Sequence, residues 1–581
     1  MNSIINKLKS HIPILETFRD YNKGDFKGDL NAGVTVAIML VPQGMAYAVL
    51  AGLPPVYGLY ASIVPVVLYA IFGTSRHMGV GPVAIVSLLV IAGVGELADP
   101  GSERFIYLAI LTALGVGIVQ FLMGTFRMGF LVNFLSHPVL SGFTSAAAII
   151  IGVSQLGNLL GLDLAGTKQV HEILLSVIQN IGEVEIYTAM MGVGSVAVIM
   201  LLKKWKKTFP SALLVVVAGT VVTAIFNLHT TGVSIVGEVP QGLPSFQLPG
   251  LDFTDIQAIL PIVLVIALVS YMESIAVAKA VANKRGYKID ANQELVALGS
   301  ANIGGALFQS FPTTGGFSRT AVNDQSGAKS TVASIITAGL IAVTVLFLTP
   351  LFYYLPNAVL AAIIMVAVAG LFDSKEMSFL WQTDRKDLAM LIITFAATLF
   401  LGIEEGIAIG VIMSLVMVIY SSTTPHYAEV GRLGTSNNFR NIERYPEAKI
   451  EDDVLIYRFD SNLYFANVEH FRETLEQKIN ERGPILELVI IDASSINNVD
   501  STGIHTLQEL IKDLRLKRIT LYMAGVIGPV RDKLKACGIT DAMGEENFFF
   551  DVSDALAYYK EKGAEEARQE FSPCQTNLGE S

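Results

Sequence analysis

The sequence predicts an α-helical membrane protein whose fourteen apolar segments form two successive sets of seven, followed by a small α/β domain. Three observations carry that expectation. Charge is scarce only in the first three quarters of the chain, two short segments with Gly-rich entrances sit at matching places, and the C-terminal quarter alternates strand-like and helix-like patterns.

Of 581 residues, 52% are hydrophobic and 16% charged, against about 25% charged in an ordinary soluble chain. Residues 1–425 hold 22 Lys and Arg and 24 Asp and Glu, a net charge of −2, whereas residues 426–581 hold 18 and 27, a net charge of −9. The chain therefore divides into a membrane body and an acidic, water-facing domain. A basic nucleic-acid binder, a secreted disulfide scaffold and a disordered chain are excluded. Cys537 and Cys574 both lie in the charged part without a CxxC pair, so they read as thiols of a reducing cytosol, and no metal site is expected.

The first 28 residues are expected to be a cytoplasmic N-terminal segment. Met1–Asn22 carries Lys7, Lys9, Glu16, Arg19 and Asp20 and lacks the apolar core of a secretory signal. An amphipathic helix with Ile4, Ile5, Leu8, Ile12 and Ile14 on one side fits it better.

Apolar segments then follow at about 29–50, 56–73, 82–96, 104–124, 129–152, 186–202, 209–227, 255–281, 291–308, 317–327, 331–354, 357–372, 388–402 and 405–421. They make a membrane domain over 29–425 with repeats at 29–227 and 255–421. The third and tenth are too short to cross alone, since a spanning helix needs roughly 20 apolar residues. Gly79-Val80-Gly81-Pro82 leads into one and Thr313-Thr314-Gly315-Gly316 into the other. Interrupted segments at corresponding places in two halves point to an inverted-repeat transporter with its site between two half-helix N-termini. The entrances at Gly81, Pro82, Gly315 and Gly316 then approach that site.

Loop charge tests the count. Lys203, Lys204, Lys206 and Lys207 follow segment six, Lys284, Arg285 and Lys288 follow segment eight, and Arg385 and Lys386 follow segment twelve, all on one side. Opposite loops at 227–255 and 96–103 contain no Lys or Arg, so both termini are expected in the cytoplasm, with the body a multi-pass protein of the inner (plasma) membrane.

Segment one places Pro42, Gln43 and Tyr47 within an apolar helix. Proline frees a carbonyl, and Gln43 and Tyr47 lie one turn apart on one face, an arrangement suited to a lined cavity. A kink held by neighbouring helices is the structural alternative.

The stretch Gly33–Tyr60 resembles the signature of the sulfate permease family of anion transporters. The resemblance continues through Glu273-Ser-Ile-Ala-Val-Ala-Lys279, Gly286-Tyr-Lys-Ile-Asp290-Ala-Asn292-Gln293-Glu294 and Pro312-Thr-Thr-Gly-Gly-Phe-Ser318-Arg319-Thr-Ala-Val-Asn323. It implies a seven-plus-seven fold with core and gate domains, similar to uracil permeases, an elevator-type alternating-access movement, and a homodimer. It also implies that Gln43, Tyr47, Val83, Phe317 and Ser318 contact the substrate. Val83 stands where many animal relatives have an aromatic residue, which implies a less restrictive wall.

Arg319 stands in the first turn of the second half-helix. Charge in an apolar segment costs about 2.5–3.5 kcal/mol on insertion scales, so the guanidinium must face a cavity or a partner. A structural ion pair with Glu273 is one reading; an oxyanion site, where unpaired N–H groups and the helix dipole already favour an anion, is the other. Glu273, in the middle of segment eight, is either a carboxyl that joins helices or the proton-coupling group. Accumulating a divalent anion against a negative interior needs co-transported cations, because each charge costs about 2.3 kcal/mol per 100 mV. H+ is the expected coupling ion. The resemblance leaves Na+ open: bicarbonate-transporting relatives place Asp where this chain has Glu273, with Ala276 and Lys279 following. No GxxxxGK[ST] motif occurs, no cofactor is expected, and no Ser/His/Asp grouping points to an enzyme. His137, beside a Pro, reads as a packed span residue.

After a linker at 426–449, residues 450–564 read as Val454–Phe459 and Leu463–Phe465 strands, a Val468–Arg482 helix, an Ile485–Asp492 strand, a Thr502–Leu516 helix, an Ile519–Ala524 strand, a Pro529–Ala536 helix, a short strand at Phe548–Phe550 and a last helix. Leu488–Gly503 resembles the STAS fold of anti-sigma-factor antagonists, which implies Ser501 or Thr502 as a candidate phosphosite and a cytosolic regulator as a partner. The simpler role for Asp500, Ser501 or Thr502 is to cap the next helix. Residues 565–581 read as a disordered tail.

The expected function is secondary active transport of a small inorganic oxyanion, with proton-coupled sulfate uptake leading. Sodium- or proton-coupled bicarbonate or C4-dicarboxylate transport on the same scaffold is the alternative within transport. A membrane anion sensor signalling through the STAS domain is the alternative of a different class.

Overall fold

The computed structural model describes residues 12–18, 21–130, 136–162, 170–205, 209–434 and 436–570. Ile4, Ile5, Leu8, Lys7, Lys9, Arg19, Asp20, Lys206, Lys207 and Cys574 lie outside the described residues. Of the expected N-terminal helix, Ile14–Thr17 forms a single turn with Ile14 buried. The chain divides into two compact units, Met1–Ser414 and Leu415–Ser581.

Each of the fourteen predicted segments carries a helix: α1 (Lys23–Leu50), α2 (Val64–Phe72, preceded by the turn Val56–Tyr60), α3 (Ala84–Val94), α4 (Glu103–Thr125), α5 (His137–Ser154), α6 (Ile186–Trp205), α7 (Ser211–Phe226), α8 (Phe253–Arg285), α9 (Ala291–Leu307), α10 (Phe317–Gln325), α11 (Val332–Val343), α12 (Asn357–Val368), α13 (Arg385–Phe400) and α14 (Ile403–Thr423). Among the described residues seven stretches are long and apolar enough to cross a membrane alone. The shorter helices, α3 and α10 among them, lie where Gly and Pro interrupt the apolar runs.

Local chemistry sets several boundaries. Asn22 and Asp25 form a reciprocal cap at the start of α1, with Asn22 Oδ1 accepting from Gly24 N (2.8 Å) and Asp25 N (3.1 Å). Asp290 Oδ1 accepts from Asn292 N at 2.8 Å and Gln293 N at 3.2 Å to open α9. Two ten-residue helices were not anticipated, Val170–Gln179 and Ser374–Thr383. Each combines polar and apolar residues over ten positions, too few and too mixed to register as a span.

Helices α1–α4 and α8–α11 pack on one another, α4 against α8 and α9, α2 against α9 and α1 against α11. Gly117 of α4 and Gly299 of α9 let two backbones meet: a Cβ on Gly117 would stand 2.9 Å from Gly299 O. The second group joins α5 to α13 and α6 to α7 and α12. The groups meet where α1 and α3 face α5, α7 and α12, so α1 and α3 present side chains to the seam between them.

The first unit contains two short strands, β1 (Val80–Gly81) and β2 (Thr314–Gly315), and the second unit is a seven-stranded sheet in the order β4 (Phe439–Asn441), β3 (Tyr427–Leu433), β6 (Val454–Phe459), β7 (Leu488–Asp492), β8 (Thr520–Ala524) and β9 (Phe548–Phe549), with β5 (Ala448–Lys449) also on β3. Strands β6, β7, β8 and β9 run parallel, and β3 pairs antiparallel with β6, Tyr427 opposite Phe459. Both faces are covered, which explains the unbroken apolar runs. Tyr457, Val489 and Ile491 lie in one core with α15 (Val468–Arg482), α16 (Ser501–Leu516) and α17 (Gly528–Ala536); Ile456, Ile490 and Tyr522 lie in another with α18 (Val552–Glu570).

Four expectations here need correction. The stretch read as a linker, 426–449, contains β3, β4 (Phe439–Asn441) and β5 (Ala448–Lys449), whose charged residues mask the alternation. Leu463–Phe465 is no strand; Leu463 makes one bridge to Val499. The strand read at Ile485–Asp492 begins at Leu488, after a 3₁₀ turn set by Pro484. The last helix continues through Glu570, within the stretch read as a tail; residues 571–581 lie outside the described residues.

Candidate functional site

The two half-helix entrances meet. β1 (Val80–Gly81) and β2 (Thr314–Gly315) form a two-stranded antiparallel ribbon, Val80 opposite Gly315 and Gly81 opposite Thr314. Gly316 N donates to Gly79 O at 3.0 Å, and Thr320 Oγ1 accepts from Gly79 N at 3.0 Å. Helix α3 leaves one strand and α10 the other, so both N-termini rise from one small sheet, the arrangement that turns unpaired N–H groups toward a common place.

Buried polar side chains brace the ribbon. Ser274 Oγ of α8 accepts from Gly315 N (2.9 Å) and shares a hydrogen bond with Thr314 Oγ1 (2.7 Å), which also donates to Ser270 O (2.7 Å). Asn302 of α9 grips Thr313 from both sides, Oδ1 accepting from its N at 2.8 Å and Nδ2 donating to its O at 3.1 Å. Gln120 of α4 accepts from Asn302 and donates to Ser270. Ser270, Asn302 and Gln120 did not stand out in the sequence, because polar side chains in apolar helices usually bond their own backbone.

Arg319 is 2% exposed, at the third position of α10. Its Nη2 donates to Pro82 O, across the ribbon, at 2.5 Å, while Nε and Nη1 are buried and have no hydrogen-bond partner in the protein. Glu273 is 8% exposed and its Oε2 is likewise buried and unpartnered. No ion pair within 4.0 Å joins them, so the reading of Arg319 as Glu273's structural partner does not hold. They and Tyr47 nevertheless lie in electrostatic range of one another. In the first unit these two are the only carboxylate or guanidinium groups with such unfilled atoms among the described residues. Buried charged groups normally find partners, so their vacant positions mark a place built for something else.

Gln43 and Tyr47 are both buried on α1, Gln43 Nε2 donating to Tyr47 Oη at 3.0 Å, and Gln43 Oε1 is unpartnered. Val83 caps α3, and a Cβ on Gly316 would touch its Cγ2 at 3.4 Å, which brings the two entrances side by side. Phe317 (54% exposed) and Ser318 are both exposed. Ser318 lines a cavity of about 90 Å³ that it shares with Gln43. Ser87 on α3, fully buried with an unpartnered Oγ, went unnoticed in the sequence.

Other residues in and beside these motifs hold the frame. The Glu294 carboxylate, fully buried, accepts from Tyr69 Oη (2.7 Å), Thr74 N (2.7 Å), Thr74 Oγ1 (2.6 Å) and Ser75 N (3.0 Å). Asp324, at the end of α10, takes Lys284 Nζ at 2.6 Å and Arg285 Nε at 2.5 Å from the end of α8. His137 is not packed within a span; it begins α5, its side chain 70% exposed, with Nδ1 3.1 Å from Glu376 Oε1.

In the second unit the cap on α16 is Asp500, whose Oδ1 accepts from Gly503 N (2.8 Å) and Oδ2 from Phe465 N (2.9 Å). Ser501 and Thr502 are exposed beside it.

Comparisons with known proteins agree with this architecture. Residues 26–394 match the sulfate permease family and residues 445–555 the STAS domain. The chain is 41% identical to the chloroplastic sulfate transporter 4.1 of Arabidopsis thaliana, over 98% of this chain and 86% of that protein. It is 35% identical to high affinity sulfate transporter 2 of Stylosanthes hamata, over 95% and 87%. The structure of murine solute carrier 26 family member A9, an anion transporter in its inward-facing state, superimposes with a TM-score of 0.88 at 25% identity, covering 96% of this chain and 95% of that one. With its multi-pass body, paired half-helices and C-terminal α/β sheet, the chain belongs to the sulfate permease family and ends in a STAS domain.

Proposed function

We propose that this protein is a secondary active transporter that takes up sulfate with protons. The observation that carries the reading is the Arg319 guanidinium, buried at the junction of two half-helix entrances with two nitrogens unfilled. A tetrahedral oxyanion supplies acceptors for both and for the N-terminal amides of α3 and α10. The names of the relatives at 41% and 35% identity favour sulfate among such anions. Gln43, Tyr47, Val83, Phe317 and Ser318 would line the substrate path, and Glu273, with its buried Oε2 unfilled, would carry the proton.

The two helix groups suggest the movement. Helices α1–α4 and α8–α11 carry both half-helices and would slide as an elevator core against α5–α7 and α12–α14 as the gate. Both termini would lie in the cytoplasm of a plasma-membrane homodimer, with Ser501 or Thr502 open to a regulator. Uptake of labelled sulfate by proteoliposomes under an imposed pH gradient tests the reading. Purified protein that gives no sulfate uptake under any gradient defeats it.

A further inference from the structure

The cavity that Gln43 and Ser318 share is closed on its other side by α6 and the start of α7, through Ile199, Lys203 and Ser211. Among the described residues Lys203 is its one ionisable lining residue, and no carboxylate lines it. Lys203 has no ion-pair partner within 4.0 Å among the described residues. Lys204, next in sequence, is not part of the lining. The two lysines therefore have different surroundings, although loop-charge counting treats them alike.

We infer that Lys203 is the capture residue for the substrate anion on its own face of the membrane, an inference that rests on the transport reading above. A cation in a cleft with low-dielectric walls raises the local concentration of a divalent anion and speeds its arrival, and salt weakens the effect over a Debye length of about 8 Å at physiological ionic strength. Its placement gives it a directional role. Gln43 and Ser318 belong to the helix group that carries the half-helices, and Lys203 to the other group. When the groups move relative to one another the distance from Lys203 to the site changes, so its charge acts on the anion in the conformation open to its side and not in the opposite one. Affinity is thereby made unequal on the two faces.

The test is sulfate/sulfate exchange by the full-length protein in right-side-out and inside-out vesicles, with KM measured separately for each face at low and high salt. Lys203→Gln is expected to raise KM on the lysine face roughly 3- to 10-fold and flatten its salt dependence, with KM on the opposite face and the maximal rate unchanged. Lys203→Arg keeps wild-type behaviour. Equal KM changes on both faces, or none on either, overturn the inference. Should the Gln variant fail to assemble, Lys203→Cys in a background with Cys537 and Cys574 replaced by Ser is treated in vesicles with a cationic or an anionic methanethiosulfonate. Restoration of KM by the cationic reagent alone supports the inference, and identical effects of the two overturn it. Wild-type vesicles that exchange neither sulfate, bicarbonate, fumarate nor molybdate would overturn the transport reading itself, a result recognisable because it precedes any variant.

Discussion

Arg319 Nη2 donates to the carbonyl of Pro82 at 2.5 Å, so the cation on one half-helix is held by the entrance of the other. The bond orients the guanidinium and leaves Nε and Nη1 unspent. Residues 237 positions apart in sequence thus form a single unit.

Removing that cation should abolish binding. Hydrogen bonds to charged groups are worth about 1.5–3 kcal/mol each, so Arg319→Ala is expected to weaken sulfate binding by at least ~100-fold, from two lost bonds. Calorimetry on detergent-solubilised protein measures it. Unchanged affinity would return Arg319 to a purely structural role.

Gly81 has φ +147°, a conformation that L side chains avoid, and a Cβ there would collide with Arg319 Nη1. Gly81→Ala should therefore lose affinity much as Arg319→Ala does, although Ala adds no charge and removes none. Normal transport by that variant would show that the ribbon yields without moving the guanidinium.

Glu273→Gln keeps the shape of the side chain and removes its capacity to ionise. Accumulation driven by a pH gradient should vanish while sulfate/sulfate exchange persists, since exchange needs no net proton movement. Proton-driven accumulation that survives the substitution would assign coupling elsewhere.

Asn302→Ala leaves the N–H and C=O of Thr313 without their buried partners. Each orphaned group costs about 1–3 kcal/mol, so both thermal stability and sulfate affinity should fall together. A drop in melting temperature with affinity intact would separate the brace from the site.

In the second unit, burial pushes the Asp460 carboxyl up, but Arg458 (Nε at 2.7 Å) and His426 (Nδ1 at 2.8 Å) hold it below the usual carboxylate range. A carboxyl lowered on folding stabilises the native state above its unfolded pKa, about 3.9, and loses that contribution as pH falls through the folded value. Asp460→Asn should therefore lower the melting temperature at pH 7 and narrow its gap to wild type as the pH drops below about 4. A gap that stays constant across that range would exclude the pairing as its source.

The sequence by itself determined much of this protein. Apolar run length marks a helix in each of the fourteen predicted segments, because a bilayer admits few alternatives for an unpaired backbone. Glu273 and Arg319 were legible for the same reason: charge is conspicuous where composition makes it expensive. Strands β3–β5 were not, because short strands with charged residues lack the period that marks longer ones. The tertiary structure alone decided which buried charges are matched by protein groups and which keep unfilled atoms. Glu294 and Asp324 are as charged as Glu273, yet their oxygens are filled by Thr74, Ser75, Lys284 and Arg285, residues adjacent only after folding. It also set Lys203 apart from Lys204, since one residue along a helix turns the side chain about 100° and so exchanges a cavity for the surroundings outside it. Composition reveals that a charge is costly; only the packing around it reveals whether that charge has already been matched.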